Sequence, residues 1–243
     1  MTVNNYAAPA ALPMPIRPVR VGALPPLATA FQPRAELREK IDRARERHGT
    51  VVLTQVLAGG GGVGKSQLAA SYAHRAHGEG VGVLVWVDAA DASRIITAYA
   101  QAAEKVGATG VSGEDAEADA HAFLDWLAVT DRTWLVVLDD LTDIENTGPW
   151  WPRTPAAGGT GRVLATTRRR GAYLSGAGRA LIEIGLYTDD EALDYLRERL
   201  AEAGAEHLLD NRAGALVDAL GRLPLALARA AAYMINEDVT SGE

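Results

Sequence analysis

The segment Gly59 to Ser66, GGGGVGKS, restricts the fold of this chain more than any other stretch. It matches the pattern G-x-x-x-x-G-K-[ST], in which a glycine-rich loop leaves a strand, surrounds phosphate oxygens with backbone N–H groups and enters a helix. The lysine of such a loop, here Lys65, reaches the β- and γ-phosphates, and the hydroxyl of Ser66 ligates Mg²⁺. The pattern therefore predicts a nucleoside phosphate site at a junction between a strand and a helix.

The match is specific because lysine is rare in this chain, with three lysines among 243 residues. An apolar run at 51–59 precedes the loop and a helical pattern at 67–77 follows it, which is the context that the motif requires. The glycines also fit G-x-G-x-x-G, the signature of dinucleotide-binding folds, but Lys65 and Ser66 follow them at once and favour the phosphate loop. The predicted phosphate-binding residues are Gly59, Gly61, Gly62, Val63, Gly64, Lys65, Ser66 and Gln67.

Composition limits the function of the chain as well. With 243 residues, 48% of them hydrophobic, the chain can bury one sizeable core and a smaller subdomain. A net charge of −7 argues against a surface that binds nucleic acid or anionic membrane directly. The absence of cysteine excludes disulfides, thiolate metal sites and a cysteine nucleophile. Because the sequence shows no signal peptide and no apolar run long enough for a bilayer, we expect a cytoplasmic protein.

The pattern of elements divides the chain into three parts. Residues 1–30 are rich in proline and alanine and predict an extended arm. From 31 to 186, strands alternate with helices, which predicts an α/β domain with a parallel sheet flanked by helices. From 187 to 243 only helical patterns occur, starting with a capping box of Thr188 and Glu191, and they predict a small all-helical subdomain. The sheet is expected to have five strands, at 51–59, 81–87, 133–140, 162–165 and 180–186.

Two carboxylates and an arginine follow strands of the predicted sheet. Asp139 and Asp140 end the third strand, and ligands of parallel α/β sheets bind at the carboxyl ends of strands. We expect Asp139 to hold Mg²⁺, partly through water, and Asp140 to orient or deprotonate the attacking water. Arg168 follows the fourth strand, where a positive group can contact the γ-phosphate and stabilise charge as it develops.

Four segments, AGGGGVGKSQLA, LVVLDD, GRVLATTR and GRLPLAL, occur in this order between about residues 31 and 237. Together they resemble the NB-ARC nucleotide-binding module of the STAND class of P-loop ATPases, which occurs in plant disease-resistance proteins, the apoptotic protease-activating factor and actinobacterial regulators. The resemblance implies the Walker A role for Lys65 and Ser66. It also implies that Asp139 is the Walker B acid, with Asp140 beside it, and that Arg168 is the sensor arginine.

The resemblance also implies where adenine binds and what the chain is part of. Pro224 of GRLPLAL matches the proline that packs against adenine, and FQPR at 31–34 falls where the family has an adenine-contacting h-h-G-R segment. Gln32 and Arg34 are therefore expected at the site, although Pro33 replaces the usual glycine. In the family, a winged-helix subdomain and often helical repeats follow, and we expect these to be missing C-terminal partners of this chain. ATP or ADP with Mg²⁺ is the expected ligand, and a homo-oligomer is expected in the ATP state.

These features predict a regulatory switch that hydrolyses ATP slowly and couples hydrolysis to a rearrangement of its subdomains. Two alternatives remain. A small-molecule phosphotransferase would use the same loop and needs a mobile arginine-rich lid, for which 168–170 is the candidate. A non-hydrolysing interaction module would hold ADP as part of its structure.

Overall fold

The computed structural model describes residues 17–55, 61–153, 161–169, 174 and 178–242. In these residues the chain forms one six-stranded sheet with the strand order β1-β3-β4-β5-β2-β6. Every pair of neighbouring strands is parallel. The strands are β1 (Val19–Val21), β2 (Thr50–Gln55), β3 (Val83–Asp88), β4 (Trp134–Leu141), β5 (Gly161–Thr167) and β6 (Arg179–Ile184).

Helices connect and cover these strands. Short 3₁₀ turns occur at Gly148–Trp150 and Glu206–Leu208. The α-helices are α1 (Ala35–Arg47), α2 (Lys65–Gly78), α3 (Ala92–Val106), α4 (Ala116–Val129), α5 (Ile144–Thr147), α6 (Asp189–Ala201), α7 (Ala213–Ala219) and α8 (Pro224–Glu237).

The central strands are apolar because both faces of the sheet are covered. In β3, alternate side chains point to opposite faces, as the pleat of a strand requires. Val83 and Val85 belong to the core cluster that includes side chains of α3 and α4. Leu84 belongs to the cluster on the other face, where α1 and α2 supply side chains such as Ile41 and Leu68. The sheet therefore has a helical layer on each face, as the alternation of strands and helices predicts.

The strand count differs from the five that the sequence pattern predicts. The additional strand is β1, which lies within the segment 1–30 that was expected to form an extended arm. Val19 and Val21 are in register with Val83 and Val85 of β3, so β1 is an edge strand of the sheet. A run of three residues between prolines has no detectable periodicity, and its strand conformation depends on pairing with β3. The first sixteen residues of the predicted arm lie outside the described residues.

The position of β5 determines which residues meet at the carboxyl edge of the sheet. β5 pairs with β4 on one side and with β2, the strand that leads to the phosphate loop, on the other. The end of β5, with Thr166 and Thr167, therefore lies between the acidic end of β4 and the loop region. This strand order brings segments together that are more than 70 residues apart in sequence, such as Ser66 and Asp139.

Helices α6, α7 and α8 pack against one another, and we call them the helical subdomain. Thr188 and Glu191 form the predicted capping box at the start of α6, with both reciprocal hydrogen bonds present. Leu196 of α6 and Leu227 of α8 are buried together in the subdomain's own cluster. No helix in the described part of the chain has the length and apolarity that a membrane span requires.

Candidate functional site

The phosphate loop enters α2 through glycines in left-handed conformations. Gly64 precedes the first residue of α2 with φ of 89°. Gly62 has φ of 101°, and a Cβ there would lie 2.6 Å from the Cβ of Leu225. A side chain at position 62 would therefore be strained and would collide with the start of α8. Gly59, the first glycine of the motif, lies outside the described residues.

Asp139 and Asp140 are linked to the loop through hydroxyl groups. The Ser66 Oγ donates a hydrogen bond to Asp139 Oδ1 at 2.8 Å. Thr166 Oγ1 donates to the same oxygen at 2.6 Å and accepts the backbone N–H of Asp140 at 2.8 Å. Thr166 is completely buried, so one hydroxyl of β5 positions both acids. The sequence motifs do not single out this residue; its only signal is its position at a strand end beside the acids.

Asp140 has an unusual backbone and a charged partner. Its φ is 53°, in the left-handed region, and it lies within a shift in the register between β4 and β5. Its carboxylate pairs with Arg168, with 3.3 Å between Oδ1 and Nε. The two side chains are 40% and 60% exposed, so the pair contributes little to stability and can separate at small cost.

Lys65 is buried at the same place, with 7% of its surface exposed. Burial, and then the positive charge of Arg168, lowers the pKa of the Lys65 ammonium group, whereas Asp140 and Asp139 act in the opposite direction. The loop therefore holds a desolvated cation beside two carboxylates and a second cation. An anionic phosphate at this point would offset the cost of burying the Lys65 charge and its repulsion with Arg168.

These residues line a cavity of about 560 Å³, a size typical of small-molecule sites. All predicted site residues in the described part of the chain lie on its wall, namely Gln32, Arg34, Gly61, Gly62, Val63, Gly64, Lys65, Ser66, Gln67, Asp139, Asp140, Arg168 and Pro224. The wall also includes residues that no motif identifies, among them Ala28, Thr29, Asp88, Tyr187, Tyr195 and Ala228.

Arg34 lies on the cavity wall, and its Nη1 donates to the carbonyl of Val63 in the phosphate loop at 3.4 Å. Its guanidinium donates to the carbonyls of Gly185 at 3.1 Å and Leu186 at 2.7 Å. It also lies 5.4 Å from the centre of the Tyr187 ring. Its Nε is 3.5 Å from a Glu191 oxygen without hydrogen-bond geometry and is buried without a hydrogen-bond partner. Arg34 therefore holds the connection between β6 and α6 in place.

Another part of the wall is mostly apolar or aromatic and comes from α6, α8 and the segments that precede α1 and α6. Pro224 is the first residue of α8, and the next backbone N–H, that of Leu225, donates to the carbonyl of Gly62 at 3.2 Å. Burial raises the pKa of Tyr187 to about 12 and also raises that of Tyr195. The cavity therefore has a charged end, which fits phosphates, and an aromatic end, which fits a base.

The donor set at the charged end fits a magnesium ion. The Ser66 hydroxyl and the Asp139 carboxylate lie within one hydrogen bond of each other, and both are oxygen ligands of the kind that Mg²⁺ prefers. Within the described residues, no three His, Cys, Asp or Glu side chains are grouped so that they could hold a metal on their own. Mg²⁺ in nucleotide sites uses one or two protein ligands, with phosphates and water completing the coordination.

Comparison with known proteins gives the family. The model of the NB-ARC domain matches residues 34–206, which is more than half of the chain and includes the loop, both acids and Arg168. The chain belongs to the NB-ARC domain family. This confirms the resemblance that the four sequence motifs predict.

Known relatives of this NB-ARC domain are much longer proteins. It is 31% identical over 244 residues to the regulatory protein AfsR of Streptomyces griseus, covering 95% of this chain and 24% of AfsR. It is 26% identical over 197 residues to a nucleotide-binding leucine-rich repeat (NLR)-like protein of Hyaloscypha variabilis, covering 76% of this chain and 20% of that protein. The chain thus spans a quarter or less of the length of these curated relatives.

A solved structure confirms the fold class. The Signal Transduction ATPase with Numerous Domains (STAND) protein with a tetratricopeptide repeat sensor from Pyrococcus horikoshii matches with a TM-score of 0.56 at 18% identity. The match covers 83% of this NB-ARC domain and 30% of the archaeal chain. The fold is therefore that of P-loop NTPases, an α/β fold with a parallel sheet flanked by helices.

Proposed function

We propose that this NB-ARC domain is a regulatory switch that binds ATP or ADP and hydrolyses ATP slowly. The observation that carries the proposal is that one cavity brings several predicted site elements together. Its wall includes the phosphate loop, two carboxylates, Arg168 and the first residues of α8. Membership of the NB-ARC family supports nucleotide binding, and the cavity supports a ligand with a charged and an apolar end.

At the charged end, the loop N–H groups and Lys65 bind the β- and γ-phosphates, and Ser66 and Asp139 hold Mg²⁺, partly through water. When bound, Mg²⁺ neutralises charge on the phosphate oxygens. Thr166 keeps the Asp139 carboxylate in place through its 2.6 Å hydrogen bond. These assignments follow the motifs, and the mutual distances of the side chains support them.

Asp140 orients or deprotonates the attacking water, and Arg168 stabilises the charge that develops on the γ-phosphate. In the described conformation these two side chains pair with each other. Arg168 therefore has to exchange a carboxylate partner for a phosphate before Asp140 is available as a base. We expect slow turnover because a switch needs a long-lived bound state.

At the other end, adenine lies between the 31–34 segment and Pro224. Hydrolysis removes the γ-phosphate contacts of Lys65 and Arg168, and the change reaches the helical subdomain where Leu225 contacts Gly62. Because the relatives are longer, we propose that winged-helix and repeat domains outside this chain receive the change, and that the ATP state forms a homo-oligomer. We expect a cytoplasmic protein without direct contact with nucleic acid or membrane.

Two measurements test this function. Denaturing the purified protein and identifying the released nucleotide by chromatography is expected to yield ADP or ATP. Single-turnover hydrolysis of ATP is then compared with the variant Asp140→Asn, since asparagine tolerates the left-handed backbone at this position. We expect slow phosphate release that the variant loses.

The outcomes separate the alternatives. No affinity for ATP or ADP would contradict the proposal. Binding without phosphate release from either protein would support a non-hydrolysing ADP-holding module. ADP production that depends on an added acceptor would support a phosphotransferase.

A further inference from the structure

Gln67 lies on the wall of the nucleotide cavity, but its side chain is already engaged by another part of the chain. Its Oε1 accepts the backbone N–H of Ala28 at 2.6 Å, and its Nε2 donates to the carbonyl of Pro26 at 3.4 Å. The side-chain amide of Gln67 thus hydrogen-bonds to the backbone of Pro26 and of Ala28, two positions apart, in the way that the backbone of a neighbouring β-strand would. We call residues 24–32, between β1 and α1, the strap.

A second side chain of α2 binds the strap farther from the phosphate loop. The Nε2 of His74 lies 2.8 Å from the carbonyl oxygen of Pro25. Gln67 and His74 are seven residues apart, which places them on one face of α2. His74 does not contribute to the wall of the cavity. The same helix that begins at Lys65 therefore fastens the strap at two points, only one of which is close to the nucleotide site.

The other side of the strap is attached to the helical subdomain. The Ala30 N–H donates to Glu202 Oε1 at 3.4 Å, and Gln32 Nε2 donates to Glu198 Oε2 at 2.9 Å. Ala30 is 7% exposed and belongs to the apolar cluster of that subdomain. The strap therefore joins α2 of the sheet domain to α6 of the helical subdomain.

Between these two attachments, the strap forms part of the cavity wall through Ala28, Thr29 and Gln32, with Phe31 beside them. We propose that Gln67 is a positioning residue that holds the strap against the bound nucleotide, so that strap docking and nucleotide retention stabilise each other. This inference rests on the proposed nucleotide binding. A group that contacts the nucleotide only when the strap is docked stabilises both, and the coupling is reciprocal by linkage.

The first test measures the rate at which a fluorescent ADP analogue, mant-ADP, dissociates from the full chain. Gln67→Met keeps the size of the side chain and removes both hydrogen bonds. We expect dissociation about fivefold faster, the factor that corresponds to a net loss of about 1 kcal/mol, and a nearly unchanged association rate.

His74→Ala separates strap docking from a direct contact between Gln67 and the nucleotide. His74 bonds to the strap but does not line the cavity. If strap docking retains the nucleotide, His74→Ala is therefore expected to accelerate mant-ADP dissociation as well, by about twofold to fivefold. Gln101→Met, on the exposed face of α3, is the matched control and is expected to release mant-ADP at the wild-type rate. If mant-ADP dissociates faster from Gln67→Met but not from His74→Ala, Gln67 contacts the nucleotide directly, and the inference is overturned.

Hydrogen exchange gives a second readout, in which the amides of the buried central strands serve as the reference for a change in folding stability. The amides of Ala28 and Ala30 are expected to exchange more slowly when ADP is bound, and faster in Gln67→Met and His74→Ala. Equal exchange with and without ADP in a wild-type chain that binds mant-ADP overturns this inference alone. A wild-type chain that binds no mant-ADP overturns the proposed function and this inference with it.

Discussion

The two ends of the cavity are built in different ways. At the charged end, which we call the phosphate end after its proposed ligand, the side chains come from the ends of neighbouring strands and the first turn of α2. Hydrogen bonds of 2.6–2.8 Å connect Ser66, Asp139 and Thr166. At the aromatic end, which we call the base end, the wall is formed by the strap, the connection to α6 and the start of α8, which come from distant parts of the chain. The contact of α8 with the loop is the 3.2 Å hydrogen bond from Leu225 to Gly62.

This difference assigns different physical tasks to the two ends. The phosphate end is assembled by the sheet itself, so its geometry persists whenever the sheet is folded. The base end exists only when the helical subdomain and the strap are docked, and docked surfaces of this kind separate more easily than a core. Binding at the phosphate end is therefore expected to supply most of the affinity, whereas binding at the base end changes with the arrangement of the subdomains.

The largest effect is expected from Lys65→Ala at the phosphate end. The ammonium group is buried beside the acids, and its charge-assisted hydrogen bonds to phosphate are worth about 1.5–3 kcal/mol each. We expect the affinities for ADP and for pyrophosphate both to fall at least about 100-fold, measured by titration calorimetry. Lys40→Ala, an exposed lysine of α1, is the control. Retained affinity would mean that this end does not bind phosphate.

A large effect is also expected where the two ends meet. Gly62→Ala forces a side chain into a left-handed conformation, at about 1–2 kcal/mol, and against Leu225, at about 1–3 kcal/mol more. Gly64→Ala has a similar φ, but nothing lies within 4 Å of its added Cβ, so it reports the conformational cost alone. Urea unfolding without nucleotide is expected to show a greater loss of stability for Gly62→Ala. Equal losses would show that α8 does not press on the loop.

A smaller loss of stability is expected from Thr166→Val, which keeps the shape of the side chain and removes its hydroxyl. The Asp140 N–H loses its acceptor and Asp139 loses a donor, which lowers the free energy of unfolding by about 1–3 kcal/mol. Thr97→Val on the exposed face of α3 is the matched control for denaturant unfolding. A stability equal to that of the control would contradict the role of Thr166 in positioning the acids.

The smallest effect is expected from Pro224→Ala at the base end. Loss of about one buried CH₂ contact with the base is worth about 0.8 kcal/mol and lowers the affinity for ADP about fourfold. Pyrophosphate has no base, so its affinity is expected to stay unchanged. Pro149→Ala, an exposed proline in a 3₁₀ turn, controls for the substitution itself. An equal loss for pyrophosphate would mean that Pro224 acts through the loop and not on the base.

Much of the sheet domain could be predicted because its signals are local. The alternation of strands and helices predicts the parallel sheet, and the capping box of Thr188 and Glu191 occurs where the sequence pattern places it. The family and the P-loop fold are confirmed, with six strands instead of five. β1 was missed because three residues cannot show a period, and their conformation comes from pairing with β3, which lies more than 60 residues away.

Local sequence patterns were sufficient to predict the residues proposed for the phosphate end. The loop residues are contiguous, and the parallel arrangement brings strand ends to one edge of the sheet. The folded structure was needed to show that Thr166 hydrogen-bonds to both acids, that Arg168 pairs with Asp140 and that Gln67 bonds to the strap. These contacts depend on strand order and on the docking of distant segments, and neither is encoded in the spacing of neighbouring residues.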